Sequence, residues 1–293
     1  MTRTTSEPSA PGHSLDLLRL AIDAAHRAGK LVLEYFSASD GQLRRGAVTK
    51  SSATDLVTAA DRASEELIVN RVLTARPDDG IVGEEGSTRP GQSGIVWVID
   101  PIDGTTNFVY GYPAFSISIA ASDAAGAIVG VVHDPLRDET FSAVRGGGSF
   151  LNGSPMPGRP TPPPLAESLV ATGFGYNADR RAAQAAILAG VLPKVRDIRR
   201  GGSAALDLCA VSIGRVDLYY EAGLGRWDRE AGVLIAAESG LAWRDRDDLV
   251  DGVDTLVVAP PPLLAPFIAL LESSRDELGP ERSGGPSAAG GRD

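Results

Sequence analysis

One cysteine, Cys209, and three histidines, His13, His26 and His133, stand among 293 residues. A single thiol excludes an intrachain disulfide and fits a reducing compartment, so a cytoplasmic location is expected. The scarcity of both residue types removes the usual zinc spacings and leaves no histidine set for acid–base work. A Gly-x4-Gly-Lys-Ser/Thr loop is missing, as is a dinucleotide-binding glycine signature. No apolar run is long enough to cross a bilayer. The polar opening, Met1 to Ser14, lacks the hydrophobic stretch of a signal peptide. Basic residues are outnumbered by acids, giving a formal net charge of −10. Such a balance suits neither nucleic acid nor an acidic membrane as partner. It does not exclude an anionic substrate, because bound cations invert the local field.

What is present is a hydrophobic content of 43%, enough for a sizeable core. Leu15, Leu18, Ile22, Ala25, Gly29, Val32 and Phe36 recur at helical spacing, and Asp55 to Thr74 reads as a second helix ending before Pro77. The stretch between them, Asp40 to Ser52, reads as a loop or irregular hairpin. Ile95 to Ile99 is a short β-branched run expected to be a buried strand. Ser116–Ser122, Ala127–His133 and Thr140–Val144 follow as strands between glycine- and aspartate-containing turns. Pro155 to Pro164 is proline-dense and marks an internal boundary. Beyond it, strand-like and helix-like segments alternate up to a last helix over Leu263–Leu271. The expected class is α/β, an α+β layered sandwich of alternating helix and sheet layers. The expected organisation is a disordered tail over 1–13, an N-terminal α+β unit over 14–154, a C-terminal α/β unit over 155–275 and a second tail over 276–293.

Chemistry concentrates in Asp100-Pro101-Ile102-Asp103-Gly104-Thr105-Thr106. Two carboxylates three residues apart, with the Ile102 carbonyl between them, can converge on a hard cation that prefers oxygen ligands. Gly104, Thr105 and Thr106 add small residues whose backbone N–H groups suit an anion if a helix starts there. An Asp-rich turn with ordinary helix caps accounts for this segment equally well when it is taken alone. Glu84 and Glu85 follow a predicted strand, Asp228 opens a predicted helix, and Asp61 lies early in the second helix. Each has an everyday use, as a loop acid, a cap or a surface charge. As a set they lack enough neighbouring bases to pair internally, which fits a metal cluster.

In order along the chain stand Lys50-Ser51-Ser52, Asp55-Leu56-Val57-Thr58-Ala59-Ala60-Asp61, Gly83-Glu84-Glu85-Gly86, Trp97 through Phe108, Gly202-Ser203-Ala204-Ala205, and Glu221 with Trp227 to Gly232. This series resembles the inositol monophosphatase family over roughly Leu15 to Leu271. The resemblance implies a Mg²⁺-dependent phosphomonoesterase with two or three ions per site. It implies metal ligation by Glu84, Asp100, the Ile102 carbonyl, Asp103 and Asp228. Asp61 and Thr105, with Glu84, would handle the attacking water. Asp103, Gly104, Thr105, Ala204, Glu221 and Asp228 would contact substrate. Inositol 1-phosphate or a similar polyol monophosphate is the implied substrate, with lithium sensitivity and a homodimer as family habits. Gly86 and Tyr110 depart from the commonest pattern, where Ser and His are frequent, and both bear on substrate preference rather than on the metal set.

Phosphatases acting on 3′-phosphoadenosine nucleotides, fructose bisphosphate or histidinol phosphate are alternatives within the resemblance. A regulatory protein with secondary phosphatase activity is the alternative from another class. Cys209 to Arg215 also has the Cys-x5-Arg spacing of thiol-dependent phosphatases. Leu206, Cys209, Ala210 and Ile213 recur at helical spacing, however, so the thiol is expected in a core.

Overall fold

The computed structural model describes residues 11–38, 48–49, 56–158, 161–250 and 252–276. Residues 1–10 and 277–293, within the expected tails, lie outside the described residues, as do Lys50-Ser51-Ser52 and Asp55. Most of the Asp40–Ser52 stretch does too; its described part is β1 (Val48–Thr49), which pairs with β2 (Leu56–Val57). The long first helix, α1, spans Pro11–Ala38, so His13 sits in its first turn rather than in a tail.

α2 (Ala59–Ala75) begins at a capping box: the Thr58 hydroxyl accepts from the N–H groups of Ala60 and Asp61, while Asp61 accepts from the Thr58 N–H at 2.8 Å. Then come β3 (Gly80–Gly83), β4 (Thr88–Arg89), β5 (Val96–Asp103), the short helix α3 (Thr105–Tyr110), β6 (Ser116–Asp123), β7 (Gly126–Asp134), β8 (Glu139–Val144), β9 (Gly148–Leu151) and β10 (Ser154–Pro155). Their strands form an eight-stranded sheet in the order β10-β9-β8-β7-β6-β5-β3-β4. It is antiparallel except where β3 runs parallel to β5.

The second half supplies β11 (Leu169–Thr172), α4 (Ala178–Val191), β12 (Asp197–Arg199), α5 (Ala204–Ile213), β13 (Leu218–Ala222), α6 (Arg226–Glu238), β14 (Ala242–Val250), β15 (Val253–Ala259) and α7 (Pro261–Asp276). Its sheet has five strands in the order β12-β11-β13-β15-β14.

Side-chain alternation along the strands sets the layers. Trp97 and Ile99 face α1 and α2, in one core with Leu17, Ala21, Ile68 and Val72. Val98, Ala120 and Val132 face the opposite way and meet Ala205 and Cys209 of α5 and Ala231 and Ile235 of α6. The far side of α5 and α6 packs on the second sheet through Leu208, Val211, Tyr219 and Leu256. α4 and α7 close that sheet's outer face through Ile187, Tyr220, Val257 and Phe267. The result is helix–sheet–helix–sheet–helix, the layered class expected.

Three differences from the expected elements have physical causes. β5 continues through Pro101, where the sequence suggests a turn; proline gives no N–H to the ladder, and the pairing with β6 is irregular between Asp100 and Asp103. β13 reaches Ala222, so Glu221 lies within a strand. β14 is absent from the sequence reading because five successive charged residues, Arg244 to Asp248, fill its middle, and its pairing with β15 is a backbone property that hydropathy does not report.

Candidate active site

The acids meet where β5 emerges between the first sheet and the middle helices. Asp100 lies two residues beyond Val98 and therefore projects to the side that holds α6. Asp228, in the first turn of α6, comes down from that layer. One oxygen from each of Asp100, Asp103 and Asp228 lies within 4.8 Å of the others. Asp100 and Asp103 are almost completely buried. Glu84 follows β3, the parallel neighbour of β5, and its N–H donates to the Ile99 carbonyl at 3.1 Å.

Charge repulsion and burial leave a clear mark. Burial pushes the Asp100 carboxyl well above its usual range, and Glu84, Asp103 and Asp228 push it further. Burial does the same to Asp228, with Asp103 and Glu84 adding to it. Asp103 rises only to about 6: burial raises it, but the Ser203 hydroxyl at 2.5 Å and the N–H groups of Ala205 (2.7 Å) and Ala204 (3.3 Å) hold its charge. Those donors form the start of α5. Asp228 also caps its own helix, accepting from the Gly225 N–H at 2.5 Å. Its ordinary structural use and its place in the acid cluster coexist.

Beside the cluster, the Thr105 hydroxyl lies 3.0 Å from both Asp61 Oδ1 and the Ile102 carbonyl. Asp61 Oδ2 accepts from the Thr58 N–H and hydroxyl, so the fully buried carboxylate is fixed. Gly104 precedes α3 with φ 95°, and a Cβ there would lie 3.0 Å from the carbonyls of Ala114 and Gly202. Only glycine lets these backbones approach so closely. The Thr106 hydroxyl is buried without a hydrogen-bond partner next to this turn.

Glu221 reaches the site from β13. Tyr219 donates to it at 2.9 Å, yet burial lifts its pKa to about 7. Ala204 is buried at the start of α5. Asp61, Glu84, Asp100, Ile102, Asp103, Gly104, Thr105, Ala204, Glu221 and Asp228 thus lie near one another.

Two acids were not anticipated. Glu65, on α2 and 3% exposed, accepts from the Glu85 N–H at 2.8 Å and the Ser87 N–H at 2.9 Å. It holds the loop that carries Glu84, and Gly83 leaves room for its carboxylate. Its position one turn after Asp61 on the same helix face is the only signal in the sequence. Asp207, in the first turn of α5, is buried and has a raised pKa, first from burial and then from Glu221.

The thiol alternative does not survive. Cys209 is 1% exposed within α5, burial raises its pKa, and the Arg215 guanidinium is engaged by Glu139 and lies over the Phe141 ring. His26 and His133 are also absorbed structurally, sharing the Thr140 hydroxyl at 2.8 and 3.1 Å.

Known proteins are similar to this chain in sequence and fold. The model of the Inositol monophosphatase family matches residues 15–273. The chain is 41% identical over 274 residues to the inositol-1-monophosphatase SuhB of Mycobacterium tuberculosis, covering 90% of this chain and 94% of that protein. It is 42% identical over 226 residues to the Nus factor SuhB of Pasteurella multocida, covering 76% and 83%. Among solved structures, the extragenic suppressor protein suhB from Bartonella henselae superposes with a TM-score of 0.80 at 31% identity, covering 88% of this chain and 98% of that one.

Proposed function

The chain belongs to the inositol monophosphatase family, and from that premise we propose that it is a Mg²⁺-dependent phosphomonoesterase acting on inositol 1-phosphate or a similar polyol monophosphate. Water attacks phosphorus, the P–O bond to the polyol breaks, and the products are the free polyol and phosphate. The observation that carries the reading is the convergence of Asp100, Asp103 and Asp228 within 4.8 Å.

The donor set fits Mg²⁺: it offers hard oxygens only, and mutual repulsion among buried acids is relieved by a cation. Glu84, Asp100 and the Ile102 carbonyl would hold one ion, and Asp100, Asp103 and Asp228 a second. When bound, such ions lower the pKa of a coordinated water and stabilise charge on the leaving oxygen.

The protein's own groups do the rest. Thr105 donates to Asp61, which leaves its oxygen lone pair to accept from the attacking water and orient it. The N–H groups of Gly104 and Thr105 hold the phosphate oxygens. Glu221 accepts from the polyol hydroxyls, with Ala204 forming the adjacent wall. A hydroxyl-accepting acid here favours a polyol over an adenine-bearing substrate.

A panel of phosphomonoesters assayed with and without Mg²⁺ tests this. Inositol 1-phosphate should be hydrolysed, EDTA and Asp100→Asn should abolish turnover, and Li⁺ should inhibit it. Metal-independent turnover would sink the mechanism. Preference for an adenosine bisphosphate or histidinol phosphate would sink the substrate assignment.

A further inference from the structure

Behind Glu221, on the far face of the second sheet, lies a small cavity lined by Gly173, Gln184, Ile187, Tyr220, Val250 and Leu271 among others. It offers about 10 Å³ to a water-sized molecule, which is room for one. Two of the lining side chains carry a buried polar atom with no hydrogen-bond partner, the Gln184 N–H₂ and the Tyr220 hydroxyl, and a third such atom, the Thr172 hydroxyl, lies beside Tyr220 on the neighbouring strand. Their residues are 4%, 5% and 1% exposed, so solvent cannot satisfy them from outside. Thr172 and Tyr220 are register partners on β11 and β13 and project to the same face. The Thr172 hydroxyl is near enough to temper the Tyr220 pKa, which burial pushes up to about 12, but no bond of ordinary geometry joins them. Left unpaired, each such group has given up its bonds to water and gained nothing in return.

The cavity touches the substrate side through one glycine. Gly173 lines it from behind, and the Glu221 carboxylate packs onto the Gly173 α-carbon from the front, in the space a Cβ would fill. The same turn is tied to the cavity by Gln184, whose carbonyl oxygen accepts from the Gly175 N–H at 2.9 Å.

We propose that this cavity is a site for one ordered water bonded to Gln184, Tyr220 and Thr172, and that these residues position Glu221 through the Gly173–Gly175 turn. Gln184 donates to the water and the two hydroxyls share its remaining valences, matching the three bonds typical of a buried water. The positioning half rests on the reading of Glu221 as the acceptor for polyol hydroxyls; the water itself does not.

Crystal structures of the wild type and of Tyr220→Phe and Thr172→Val test the site, since neither change touches Gly175 or alters side-chain volume much. The wild type should show density about 2.7–3.2 Å from all three polar atoms, weakened or lost in the variants. A dry wild-type cavity at a resolution that shows other buried waters would overturn the proposal. The positioning half is read from KM. The ratio of KM for inositol 1-phosphate to KM for p-nitrophenyl phosphate, which has no hydroxyls for Glu221, should rise about five-fold in either variant. An equal change for both substrates would overturn it. Wild type inactive on both would refute the proposed function, and the crystallographic outcome would still decide the water.

Discussion

At the scale of single residues, Glu65 separates structural support from direct ligation. It accepts from two backbone N–H groups of the loop that carries Glu84. Glu65→Gln keeps one acceptor and turns an N–H₂ towards the other donor. Mg²⁺ titration of activity should then show the half-saturating concentration raised about 10–100-fold, the usual effect of losing a group that orients a ligand. His133 supplies a test of stability. Burial, helped by His26, depresses its pKa to about 4 from 6.5. Neutral His133 is therefore favoured in the folded protein, and its stabilising effect is complete above pH 6.5 and lost as pH falls towards 4. Urea unfolding of wild type and His133→Gln should show the variant losing less stability between pH 7 and pH 4, by about 3 kcal/mol. Asp100 and Asp103 stand out in the sequence because they follow an apolar strand-like run, whereas Asp228, flanked by Arg226 and Arg229 at a helix start, stands out only beside them and through the family resemblance. Glu65 does not stand out, because a glutamate inside a helix ordinarily faces water, and only the folded loop shows what it holds.

At the scale of elements, the first sheet and α6 meet through glycine. A Cβ on Gly130 of β7 would lie 2.7 Å from the Ala231 carbonyl and 2.9 Å from the Ala231 α-carbon. Those are backbone atoms of α6 and cannot rotate away. Gly130→Ala should therefore push α6 off the sheet, with a loss of roughly 1–3 kcal/mol in unfolding free energy. Because Asp228 rides on that helix, Mg²⁺ affinity should fall in the same variant. Thermal unfolding and metal titration together check this, and lost stability with unchanged affinity would contradict it. Periodicity revealed α1, the central strands and the helices of the second half, since each buries one face. It missed β14, whose exposed charges conceal an edge strand, and it stopped β13 one residue short of Glu221. Pairing geometry decides both, and a single chain's hydropathy does not encode it.

At the scale of the whole molecule, the acid cluster is a reservoir of repulsion. Burial lifts the Asp103 pKa to about 6, and Asp100 and Asp228 are raised as well, so the folded protein without a cation retains, at mildly acidic pH, protons that an unfolded chain has already released above about pH 4. Mg²⁺ should displace them. Calorimetric titration in buffers of different ionisation enthalpy should detect proton release on Mg²⁺ binding at pH 6. The melting temperature should climb with Mg²⁺, reaching about 2.7 kcal/mol of added stability at a hundred-fold excess over Kd. A melting temperature indifferent to Mg²⁺ would argue against the ion site.

The placement of those acids has one more consequence. Asp100 and Asp103 precede the proline-rich connection and Asp228 follows it, so neither stretch of chain holds a complete cluster. Cleaved within that connection, the two fragments would be expected to reassociate where α5 and α6 pack on the first sheet, and to do so more tightly with Mg²⁺. The fold thus contains the layout of a split reporter, in which fragment complementation reads out the divalent cation.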